Sequence, residues 1–171
     1  MKKRTFWGIV VGIALILVMA MLIPVLQPYT WGGSGELALT ITSDRTNLTL
    51  KGEISATYTL TNVGKTKMRV LEPQNFFLVS VRNANGTSLE YTGPVPAPPA
   101  HGPTDADLFV LEPGKSRSWD DKVMGRDWAF EQNKTYKMVA YYNSKDIEGS
   151  MTLPYWKGTL TSNEILFTVL P

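Results

Sequence analysis

Cysteine is absent from all 171 residues, and histidine occurs once, as His101. The first absence excludes disulfides, thiolate nucleophiles, an acyl anchor on an N-terminal cysteine and cysteine-based metal sites, so the fold must rest on its apolar core. The second leaves any zinc or copper shell to carboxylates and methionine, a poor donor set for either ion. A Ser-His-Asp triad would have to use His101, yet no G-x-S-x-G turn presents a serine. Also missing are an H-E-x-x-H helix, a glycine-rich phosphate loop and any long stretch of helical periodicity. No enzyme class finds its residues here, and no cofactor is expected.

A large excess of charge is lacking too. The formal charge is +2, but Lys2, Lys3 and Arg4 hold three of the seventeen basic residues, so fourteen basic residues face fifteen acidic ones from Glu36 onward. The basic character belongs to the first four residues, where it suits anionic lipid and gives no support to nucleic-acid binding. Behind them runs Phe6 to Leu26, almost purely apolar and uncharged. At ~1.5 Å per helical residue it can cross a ~30 Å hydrocarbon core. Basic residues precede this run and none follows before Arg45, which places the N-terminus in the cytoplasm and the remainder outside. Trp7, Tyr29 and Trp31 stand near its ends, where such rings favour the headgroup level. The expectation is an uncleaved signal anchor in the cell membrane. The alternative is cleavage behind Val18-Met19-Ala20, which would leave the greasy terminus Met21-Leu22-Ile23-Pro24.

The expected organisation is a cytoplasmic stub at 1–5, a transmembrane segment at 6–26, a linker at 27–36 and one extracytoplasmic domain at 37–171, an ordinary size for a single core. Gly32-Gly33-Ser34-Gly35 would span only about 11 Å as a flexible coil. From Leu37 the period becomes two. Strands are expected at Leu37–Thr42, Asn47–Leu50, a longer one carrying Ile54, Ala56, Tyr58 and Leu60 on one face, Met68–Leu71, Phe76–Val81, Leu108–Leu111, one beginning at Ser116–Trp119, Thr135–Tyr142 and Ser162–Val169. Asn83-Ala84-Asn85-Gly86 reads as a hairpin turn into Leu89–Thr92. A single helical turn fits Gly125–Gln132. Residues 93–103, with Pro94, Pro96, Pro98, Pro99 and Pro103, cannot enter a sheet interior and should form an extended polyproline-like loop. Short strands at regular spacing without long helices imply an all-β antiparallel sandwich.

Asn133-Lys134-Thr135-Tyr136-Lys137-Met138 resembles the start of the penultimate strand of an immunoglobulin-like domain. That likeness makes Tyr136 the corner tyrosine and puts Met138 where antibody domains carry cysteine. Four further stretches carry a second resemblance: Tyr58-Thr59-Leu60-Thr61-Asn62, Leu89-Glu90-Tyr91-Thr92-Gly93-Pro94, Leu111-Glu112-Pro113-Gly114-Lys115-Ser116 and Trp156-Lys157-Gly158-Thr159-Leu160-Thr161-Ser162-Asn163. In these the chain is similar to prokaryotic secreted immunoglobulin-like modules, archaeal ones included, such as the non-catalytic domain of some lysine-specific metalloproteases and inhibitor-like domains. The resemblance implies a fold and an extracytoplasmic place; it carries over no catalytic residue.

The function expected is therefore non-enzymatic: a single-pass membrane protein presenting an immunoglobulin-like domain for protein contact, as accessory subunit, adhesion element or envelope component. Pro96, Pro98, Pro99 and His101 in the stiff loop, with Trp128, Tyr155 and Trp156 outside the regular strands, are the candidate contact residues, because stiffness and aromatic area favour recognition. One alternative is a protease inhibitor acting through residues 93–103. Another is a module binding carbohydrate through the aromatic rings or calcium through Asp105 and Asp107. Three sequons, at Asn47, Asn85 and Asn133, are candidate glycan acceptors. No nucleic acid and no small-molecule substrate is expected.

Overall fold

The structure, a computed structural model, describes residues 36–73, 77–95, 102–145, 147 and 149–171. The stub, the apolar run and the linker up to Gly35 lie outside the described residues. Among the described residues no helix is long and apolar enough to cross a membrane. Ten strands follow in order: β1 (Leu37–Ser43), β2 (Asn47–Thr49), β3 (Glu53–Asn62), β4 (Met68–Leu71), β5 (Phe77–Asn83), β6 (Leu108–Leu111), β7 (Ser116–Met124), β8 (Lys134–Asn143), β9 (Thr159–Thr161) and β10 (Ile165–Leu170). They form three sheets: β1-β3-β7, β2-β10-β8-β5 with β9 beside β8, and a β4-β6 ribbon. The fold is all-β, a sandwich whose two larger sheets share one core.

Alternation decides which faces meet. β3 alternates half-buried and buried residues along its whole length, so Ile54, Ala56, Tyr58 and Leu60 turn inward against Leu37, Leu39 and Ile41 of β1. From the other sheet come Val81, Tyr136, Met138, Ala140, Tyr142, Phe167 and Val169. The outward side of the first sheet is polar, and its side chains bond across strands: Thr57 Oγ1 donates to Asp120 at 2.7 Å, and Thr59 and Thr61 bond Ser118 and Ser116 at 2.8 Å each. Asn62 is fully buried and fully used. Its Nδ2 donates to Thr66 O (2.8 Å) and Leu111 O (2.9 Å), and its Oδ1 accepts from Gly64 N (2.9 Å). Asn62 thus pins the end of β3 to the ribbon.

Four expectations need correction. The sandwich is not wholly antiparallel, because β2 lies parallel to β10, with Asn47 opposite Thr168. The chain leaves one sheet after β1 and joins the other as β2, and this switch makes the pairing parallel. Leu89–Thr92 does not return as a strand: Gly86 takes φ +83° and closes the turn, but only the bridges Arg82–Ser88 and Tyr91–Trp128 form. The last strand begins at Ile165 rather than Ser162, because the Asn163 side chain instead caps β1, accepting from Ile41 N (2.9 Å) and donating to Ile41 O (3.0 Å). A short strand, β9, occupies Thr159–Thr161, where three residues are too few to show a period. The helical turn expected after Gly125 is a 3-10 turn at Gly125–Asp127.

Tyr136 sits at the start of β8 with its hydroxyl accepting from Glu131 N at 2.8 Å, five residues upstream. Met138 is in the core, two residues on along the same face.

Candidate interaction surface around the proline-rich segment

Residues 96–101 lie outside the described residues, so Pro96, Pro98, Pro99 and His101 are not placed. Both ends of the segment are. At the entry, Thr92 N and Gly93 N both donate to Asp127 O, at 2.8 and 3.2 Å. Tyr91 Oη donates to Pro94 O at 3.1 Å, and its ring meets Trp128 edge-on at 5.1 Å. A side chain at position 93 would put Cβ 2.6 Å from both Asp127 Cβ and the Tyr91 hydroxyl, so the clamp requires glycine there. Behind Trp128 a file of rings runs inward through Phe130 to Tyr136 and Phe167, which roots the entry in the core. Burial, then the nearby Asp127 and Asp121 carboxylates, push the Tyr91 hydroxyl pKa up, so it keeps the proton it donates.

At the exit, Ser150 N donates to Pro103 O at 3.0 Å. Thr104 then caps a 3-10 turn at Asp105–Asp107, with Thr104 N and Oγ1 both donating to Asp107 Oδ2. Asp105 accepts from Thr152 N (2.9 Å), Thr152 Oγ1 (2.5 Å) and Leu153 N (2.9 Å). Each carboxylate is engaged by its own protein donors, one fastening the loop at 152–153 and the other capping its own turn. Among the described residues no group of three or more His, Asp or Glu side chains converges.

The same staple gives a pH dependence. The Thr152 hydroxyl bond first, then the N–H groups of Leu153 and Thr152, hold the Asp105 carboxyl below the usual range. A lowered folded-state pKa contributes stability above the unfolded value of about 3.9, and that contribution is lost as pH falls through the folded value. Asp105→Asn is expected to lower the melting temperature at pH 7 and to flatten its decline below about pH 4. Some decline persists, since the Arg45 side-chain hydrogen bond holds Asp44 low as well. Melting curves from pH 7 to pH 3 check this; an acid slope unchanged by the substitution would refute it.

The aromatic contact candidates divide. Trp128 is half-buried beneath Tyr91. Tyr155 is 7% exposed and Trp156 fully buried, so neither can serve as a contact ring. Trp156 stacks on Tyr142 at 5.9 Å, and its backbone N–H reaches Arg69 O at 2.8 Å. The loop around both residues has no period, so their burial leaves no mark in the sequence. Trp119, half-buried, donates from Nε1 to Glu72 at 2.6 Å, and Arg117 pairs with the same carboxylate while covering the Phe109 ring at 4.5 Å. The most exposed large apolar side chain among the described residues is Val95 (83% exposed), in the segment itself, and Leu78 and Leu166 are exposed on the outer side of the larger sheet. On that side Arg82 donates to the Tyr141 hydroxyl at 2.9 Å. Asn47, Asn85 and Asn133 are all exposed. Asn47 also lines a hollow of about 550 Å³ with Asp44, Arg45, Glu53 and Leu170.

No protein-family model matches the chain, and no curated protein matches its sequence. Several solved structures show a partial likeness to it. The sporulation control protein Spo0M from Bacillus subtilis aligns with a TM-score of 0.45 at 11% identity, covering 80% of this chain; the chain spans 50% of that protein. The CARDB domain of PF1109 from Pyrococcus furiosus gives 0.38 at 12% identity over 79% of this chain and 94% of that domain. The ApaA protein from Bordetella pertussis gives 0.41 at 12% identity over 84% and 96%. The likeness is one of fold alone.

Proposed function

We propose that this chain is a single-pass membrane protein, N-terminus inside, that presents its sandwich outside the cell for contact with a protein partner, as accessory subunit, adhesion element or envelope component. The observation that supports this reading is the double fastening of the proline-rich segment: Asp127 O and Tyr91 hold its entry, and Ser150 holds its exit. A proline-rich segment held at both ends loses little entropy on binding, which favours recognition by contact.

The test is native mass spectrometry of the full chain taken from its own membranes in mild detergent. A defined heteromeric mass is expected, with Val95→Glu reducing the heteromer at least tenfold while leaving the melting temperature unchanged. A lone monomer would defeat the reading. The same fastening suits a loop that enters a protease cleft, and inhibition of a protease panel by the wild type, lost in Val95→Glu, would move the assignment to an inhibitor. Calorimetric titration of the full chain with calcium or with oligosaccharides covers the remaining alternative: heat of binding would move the assignment to a ligand-binding module.

A further inference from the structure

The three sequons are scattered along the sequence but not in space. Asn47 opens β2, the edge strand of the larger sheet, and lies opposite Thr168 of β10. Thr168 in turn lies opposite Thr135, the hydroxyl residue of the Asn133 sequon. Asn133 itself takes φ 60°, and its N–H donates to Val169 O at 2.7 Å. Asn85 projects from the turn that follows Asn83, and Asn83 lies opposite Tyr136, next to Thr135 on β8. The acceptors therefore sit at the same end of four adjacent strands, β2, β10, β8 and β5, within three strand spacings or about 15 Å.

That end is opposite to the one where the described chain begins. Leu37 lies opposite Asn62, at one end of β3. At the other end of β3, Gly52 N donates to Thr49 O, within the Asn47 sequon. Between them run the ten residues of β3, about 30 Å of extended chain. All three asparagines are exposed, as are Thr49, Thr87 and Thr135. Asn47 stands on the edge strand β2 and Asn85 in the turn just beyond the edge strand β5, where a bulky polar group would also block edge-to-edge pairing.

We propose that this pole is an N-glycosylated cap carried farthest from the membrane, with Asn47, Asn85 and Asn133 as the acceptors; the inference rests on the tethered, extracytoplasmic reading. The donor is a lipid-phosphate- or lipid-pyrophosphate-linked oligosaccharide. The side-chain amide nitrogen forms a bond to the anomeric carbon as the bond from that carbon to the phosphate oxygen breaks. The lipid phosphate leaves with the electron pair, and the amide gives up one proton to a base of the transferase. No oxidant or reductant is involved.

The test takes the full chain from the membranes of its own cells and sequences its peptides by mass spectrometry, alongside protease treatment of intact cells. Glycan mass is expected on at least two of the three asparagines, each lost in the matching Asn→Gln variant. Because Asn133 holds a left-handed backbone, Thr135→Val provides a second way to remove that acceptor while keeping the turn residue. Unmodified peptides at two or all three sites, in a domain that external protease reaches, would overturn the cap and leave the tethered reading standing. A domain that external protease reaches only after the membrane is permeabilised would overturn both.

Discussion

Replacing Met138 by aspartate is expected to destabilise the domain by roughly 4 kcal/mol or more at neutral pH, a large share of the 5–15 kcal/mol typical of a domain. Met138 has no exposed surface and lies on β8 between Val81 of β5 and Ile165 of β10. The core residues around it are all uncharged, so the carboxylate would be buried unpaired. Burial raises a carboxyl pKa, so the folded variant takes up a proton at a higher pH than the unfolded one. Its deficit should therefore shrink between pH 7 and pH 4. Urea unfolding at the two values tests both the size and the direction. Met138→Leu, close in volume, should cost less than about 1.5 kcal/mol. Equal midpoints for the wild type and the aspartate variant would mean that this face of β8 is not the core face.

Trp156→Ala should cost roughly 3–5 kcal/mol, through lost contacts and the cavity left behind. The ring fills space that nothing nearby can take over. It stacks on Tyr142, and Gly158 leaves it room, since a Cβ there would fall 2.5 Å from the indole. Tyr142, whose hydroxyl pKa is pushed up by burial, donates to Leu71 O at 2.9 Å. Trp156 N meanwhile reaches Arg69 O, so this corner fastens β4 to the larger sheet. Amide exchange in β4 should accelerate in the variant well before exchange in β3 does. Uniform acceleration across both strands would show that the ribbon has no separate attachment there.

Much of the sandwich is legible in the sequence because β1, β3, β8 and β10 each have one wet and one dry face, and a period of two records that directly. What escaped has physical reasons. The parallel β2–β10 pair is a choice of partner more than a hundred residues away, and three residues cannot announce it. The roles of Asn62 and Asn163 leave no trace in the pattern, because a side-chain amide that bonds main chain of a distant strand looks no different in sequence from one in a turn. Trp156 looked exposed since a buried loop has no alternation to betray it. The proline-rich segment was obvious from composition, whereas its clamps were not: Asp127 and Ser150 act through main-chain groups, which any residue carries. Val95 was passed over because one exposed valine has no pattern.

The switch of β1 into β2 also determines how the domain bears load. A pull entering at Leu37 along the strand axis acts on seven residue pairs of the β1–β3 ladder together, in shear. What lies beyond is β2, aligned with β10 over three more pairs and again parallel to the pull. Hydrogen bonds sheared together must fail together, whereas a hairpin peeled from its open end gives way one pair at a time. Resistance to force is set by the rate of unfolding rather than by equilibrium stability. The side on which this chain would be held is therefore the side from which it is hardest to unravel.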